Sequence, residues 1–89
     1  MNAEYAVEFQ KCVTNTQAVQ AEHGAAFVEG SQVYKDAEDD HRECTETTFD
    51  ACKKRCKDET LGAGYATYAG CRYFSCFHRN TSFSYAIGA

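Results

Sequence analysis

CTETTFDACKKRCKDETLGAGYATYAGCRYFSC, residues 44–76, carries five of the six cysteines of this 89-residue chain. Cys52 and Cys56 are four apart and share one face of a helix. Cys71 and Cys76 are five apart, about 140° around an α-helix, a looser spacing that still leaves both usable. Between the pairs, Leu61-Gly62-Ala63-Gly64 breaks the pattern. Two amphipathic helices folded back to back satisfy this arrangement. In an antiparallel hairpin the natural pairing is nested, Cys56–Cys71 beside the turn and Cys52–Cys76 further out. Crossed pairing would skew the helices.

Working outward, the last helix spans about 65–78, with Ala66, Ala69, Tyr73, Phe74 and Phe77 as candidate packing residues. Asn80-Thr81-Ser82 signals a turn, and residues 83–89 alternate weakly, as a packed extended tail or a disordered one. Before the hairpin, Asp39 or Asp40 can cap a helix over about 41–59, whose inward face is Cys44, Thr48, Phe49, Cys52 and Cys56. Tyr5, Phe9, Cys12, Thr16 and Val19 recur at helical spacing and predict a helix over about 3–22. A second helix covers about 25–38, interrupted at Gly30-Ser31, where Ser31 could cap a new turn.

The remaining pair, Cys12 and Cys44, tests the connection. One unbroken helix over 3–37 would leave Cys12 about 40 Å from its far end. Disulfide Cα atoms must come within about 7 Å, so Cys44 would be out of reach. A bend at His23-Gly24 returns the chain beside the first helix, brings Cys44 level with Cys12 and predicts a bond between them; without the bend, Cys12 must pair with Cys71 or Cys76, or between chains. The expected fold is therefore all-α: one domain, a disulfide-stapled bundle of three to four helices with an irregular C-terminal tail.

Composition fits. A chain this short cannot build a large core, and an even, high cysteine count is the usual compensation. A zinc site would show close Cys-x2-Cys or histidine pairs, whereas no two cysteines are two residues apart and His23, His41 and His78 are scattered. Three disulfides imply an oxidising compartment and a secreted protein. Met1-Asn2-Ala3-Glu4-Tyr5 lacks the basic start and apolar core of a signal peptide, so secretion implies a leader already removed. Asn80-Thr81-Ser82 fits the N-glycosylation pattern, making Asn80 a candidate acceptor. No apolar run approaches the roughly 20 residues that span a bilayer.

The net charge of −4 argues against general nucleic-acid binding. Charge is nonetheless segregated, with an acidic block (Asp36, Glu38, Asp39, Asp40, Glu43) and a basic one (Lys53, Lys54, Arg55, Lys57). These read either as solvated helix faces complementing helix ends or as steering for a partner.

Nothing forms a recognisable nucleophile–base setting, a cation cage or a phosphate loop, so the expectation is no enzyme and no cofactor. His41 reads as part of a helix start. Seven of the twelve aromatics follow residue 64: Tyr65, Tyr68, Tyr73, Phe74, Phe77, Phe83 and Tyr85. They either wrap a core poor in aliphatics or stay exposed as binding anchors beside Arg72 and Arg79.

The Cys-x3-Cys helix followed by a second cysteine-bearing helix, Cys52 to Cys76, resembles the helical-hairpin toxins and inhibitors, with Cys-x4-Cys replacing their second Cys-x3-Cys. A Cys-x3-Cys helix among six cysteines is also similar to insect odorant-binding proteins, which have longer later spacings and no counterpart of Cys44. Neither likeness assigns a family.

The expected function is that of a secreted, non-enzymatic ligand, toxin-, pheromone- or effector-like, monomeric or homodimeric, binding a protein receptor or channel. Tyr65, Tyr68, Arg72, Tyr73 and Phe77 would make contact, with Lys53, Lys54 and Lys57 steering. The alternatives are a carrier holding a small apolar ligand between helices, and a protease inhibitor presenting Lys57 or Leu61 on the 57–70 loop.

Overall fold

The computed structural model describes residues 3–62, 64–76 and 81–88. Helix α1 runs Ala3–His23 and buries Tyr5, Phe9, Cys12, Val13 and Thr16 along one stripe. A 3-10 turn, Gly24–Ala26, reverses the chain, and Gly24 takes φ 52°, which a side chain would resist. Helix α2 then runs unbroken over Gln32–Glu59. Ser31 is its N-cap, the side chain accepting from the Tyr34 N–H at 3.2 Å.

The single α2 corrects the expectation of separate helices over 25–38 and 41–59, and of a cap at Asp39 or Asp40. No glycine or proline lies between Gln32 and Glu59. Ala37 and His41, four residues apart, are buried on one face, so the helix gains from continuing. The aspartates stay exposed, and Asp39 pairs with Arg42 at 2.8 Å within the same turn. The acidic block thus occupies the N-terminal half of α2 and the basic block its C-terminal end, the sense that complements a helix dipole.

Helix α3, Tyr65–Cys71, continues into a π-helical turn, Arg72–Cys76. This corrects the uniform α-helix expected over 65–78, of which residues 77 and 78 lie outside the described part. The π turn answers the awkward cysteine spacing. Bonds from i to i+5 make a wider turn and bring residues five apart back towards one face. Cys71 and Cys76 can then both meet α2.

The disulfides are Cys12–Cys44, Cys52–Cys76 and Cys56–Cys71, with Cα–Cα distances of 5.7, 5.6 and 5.7 Å. These are the pairs that spacing and the Gly24 bend selected. Cys12 lies eleven residues before the end of α1 and Cys44 twelve after the start of α2, so the antiparallel helices bring them level. The core cluster joins Tyr5 and Phe9 to Cys52, Cys56 and Cys76, with Phe49, Tyr68 and Cys71 packed against it.

The C-terminal segment is neither extended nor loose. Ser82 caps a single helical turn, α4 (Phe83–Ala86), accepting from the Tyr85 N–H at 3.1 Å. Ala86 is buried, and Gln20 of α1 donates to the Ile87 carbonyl at 3.1 Å. Phe83 stacks with Tyr34 at 5.2 Å and His41 at 5.9 Å, closing an aromatic group with Phe27. The molecule measures 52 × 19 × 16 Å, a slender rod in which little can lie far from solvent.

Candidate functional site

The C-terminal half of α2 and the π turn build one continuous aromatic and cationic face. Phe49 projects from α2 one turn before Cys52. Lys53, four residues on, lies over its ring with Nζ 4.7 Å from the centroid, and Arg72 approaches the same ring at 5.7 Å. Beside it, Tyr73 and Phe74 meet edge to face, centroids 5.1 Å apart. Tyr73 is 65 % and Phe74 68 % exposed. The reason is covalent: Cys71 and Cys76 are bonded to α2, so residues between them are turned outward. A shallow cleft of about 220 Å³ lies between Phe49, Ala69, Arg72 and Tyr73.

The face gathers only some of the expected contact residues. Arg72 and Tyr73 are on it. Lys53 is half-buried, held by Phe49 and by Asp50 at 3.1 Å, so it belongs to the patch itself rather than to a free steering charge. Lys54 and Lys57 are exposed further along α2. Tyr68 is turned partly inward against the cysteine cluster and partly towards the cleft beside Leu61. Tyr65 opens α3, its side chain outside the described residues, as are Phe77 and the candidate acceptor Asn80. Tyr73 and Phe74 are not packing residues, as helical periodicity suggested. Phe74 and Phe49 join the face unforeseen. The signal was available: between two cysteines that both bond to α2, intervening side chains face away.

The turn after α2 presents Leu61, 84 % exposed, beside an open cleft of about 620 Å³ lined by Lys57, Thr60, Gly62, Gly64 and Tyr68. Another open cleft, of about 570 Å³, is floored by Phe9, Phe49 and Cys76 and edged by Thr45, Glu46, Asp50, Lys53 and Thr81.

His41, expected at a helix start, lies mid-helix and is 3 % exposed. Its Nε2 is 2.6 Å from the Thr81 carbonyl, which only accepts, so Nε2 donates. Its Nδ1 is 2.6 Å from Thr16 Oγ1, which is itself 3.1 Å from the Cys12 carbonyl. A hydroxyl beside an imidazole invites a catalytic reading. However, Thr16 is 5 % exposed and both ring nitrogens are engaged. The group acts as a clamp, tying α1, α2 and the C-terminal segment together. No helix among the described residues is long and apolar enough to cross a membrane.

Comparison with known proteins returns no match, whether to family models, curated proteins or solved structures.

Proposed function

We propose that the chain is a secreted, non-enzymatic ligand of a protein receptor or channel, engaging it through the face formed by Phe49, Lys53, Arg72, Tyr73 and Phe74. The observation that carries this reading is the exposed Tyr73–Phe74 pair on a turn fixed by two disulfides. Rigid aromatics with neighbouring arginine are the side chains that dominate binding energy at interfaces. Being fixed in advance, they lose little entropy on docking. Three disulfides in so small a chain support an oxidising, extracellular setting. Lys54 and Lys57, exposed along α2, would draw in an acidic partner surface.

The test is saturable binding of fluorescently labelled protein across a panel of cell surfaces. Unlabelled wild type should compete, while the Tyr73→Ala/Phe74→Ala variant should compete at least tenfold more weakly, as loss of interface anchors implies. Equal competition by that variant would remove the reading.

A carrier function ranks second, on the cleft over Phe9, Phe49 and Cys76, whose volume of about 570 Å³ suits a small ligand. Its openness to solvent counts against it, since carriers enclose most of a ligand's surface. Saturable uptake of an apolar fluorescent probe, abolished by Phe49→Ala, would favour it. Inhibition of a protease through Leu61 would instead appear in a protease panel and vanish in Leu61→Ala.

A further inference from the structure

Cys56 and Cys76 belong to different disulfides, yet their Sγ atoms are 3.8 Å apart. With Cys52 they form a buried group whose three sulfurs all lie within 4.8 Å of one another. Cys71, half-buried at the rim, lies outside that group of three but is bonded to one of its members, Cys56, and is the fourth sulfur within reach. Four thiolates at about 2.3 Å from a tetrahedral zinc ion sit about 3.8 Å from each other. The Cys56–Cys76 separation therefore already equals one edge of a tetrathiolate tetrahedron, and the two bonded pairs would open to the same distance on reduction.

We propose that in the reduced chain Cys52, Cys56, Cys71 and Cys76 form a tetrathiolate site for a zinc-type divalent cation, so that the hairpin can be closed by sulfur–sulfur bonds or by metal.

Linear spacing alone gave no such hint, because no two of these cysteines are two residues apart. The fold supplies what the spacing withholds. Cys52 and Cys56 share a face of α2, and the π turn brings Cys71 and Cys76 round to meet them. Tyr5, Phe9, Phe49 and Tyr68 pack around these cysteines and shield the sulfurs from water. Cys12 and Cys44 both precede this cluster, are bonded to each other and take no part.

The chemistry balances as follows. Opening Cys52–Cys76 and Cys56–Cys71 takes two electrons and two protons each from a dithiol reductant, which leaves as its own disulfide. The metal then binds as the four thiols release their protons to solvent. Neither step depends on the receptor reading.

The experiment is a cobalt(II) titration of the full chain, reduced with a dithiol and desalted under nitrogen. The expected result is saturation at one cobalt per chain, with the intense visible absorption of four-coordinate thiolate cobalt, bleached by one equivalent of zinc. Far-ultraviolet circular dichroism should report helix gained on metal addition. Cys52→Ala and Cys76→Ala should each lose the four-coordinate spectrum, and Cys12→Ala/Cys44→Ala should keep it. Only weak, six-coordinate absorption in the wild type, or an unchanged spectrum in Cys52→Ala, overturns the proposal. X-ray absorption of the zinc-loaded wild type decides independently of any variant: four sulfur neighbours uphold the site, and fewer overturn it.

Discussion

Replacing both Cys12 and Cys44 with alanine should destabilise the protein more than removing either hairpin bond. The bond links residues 32 apart, and no other disulfide overlaps its loop. Loop-closure entropy then gives about 3.7 kcal/mol for it. The hairpin bonds are nested, at separations of 24 and 15. With Cys56–Cys71 in place, the outer bond closes only the flanking segments, four residues from Cys52 to Cys56 and five from Cys71 to Cys76. Its separate worth falls to about 2.6 kcal/mol, and that of the inner bond with the outer retained to about 2.2 kcal/mol. Deleting both hairpin bonds should cost about 5.6 kcal/mol, more than the two single losses together. For a domain of this length, losing Cys12–Cys44 corresponds to a fall in Tm of roughly 15–30 °C. Thermal and urea unfolding followed by circular dichroism, on three double-alanine variants and the quadruple hairpin variant, measures all four values. A Cys12–Cys44 deletion milder than either single hairpin deletion would refute the reasoning, as would strict additivity within the hairpin.

Other outcomes follow from individual contacts. His41→Ala removes the buried hydrogen bonds that the ring makes to Thr16 Oγ1 and to the Thr81 carbonyl, at a cost of about 2–3 kcal/mol. Hydrogen exchange should show Ala86 and Ile87 amides losing protection before those of α1. Ser31→Ala removes the α2 cap and should cost about 1 kcal/mol, read as a lower urea midpoint at unchanged slope. Tyr73→Ala/Phe74→Ala should leave stability within about 0.5 kcal/mol of wild type, because both side chains are mostly in solvent. A larger loss would show that they pack.

How much could be read from the chain alone varied with the kind of signal. The pairing of Cys12 with Cys44 was legible because a glycine break and a reach limit leave few geometries. The stripe Tyr5, Phe9, Cys12, Thr16 was legible because burial repeats at the helical period. The division at Asp39-Asp40 was misread because capping residues also sit comfortably on an exposed face in the first turns of a helix. Phe74 was read as packing, and Tyr73 as either packing or contact, because hydrophobicity marks a residue as worth burying without saying whether a surface is there to receive it.

Periodicity, chain reach and sulfur geometry, all local or nearly so, were enough to read an all-α, disulfide-closed hairpin and a preferred pairing of its cysteines from the chain alone; the folded structure settled that pairing among the fifteen possible. Tertiary structure decided that α2 is one helix, that a π turn brings Cys71 and Cys76 onto the partner face, and that His41 is a buried clamp. It also decided which aromatics reach solvent. Those outcomes turn on what each side chain finds opposite it, and a slender rod offers too little interior for every aromatic to be covered.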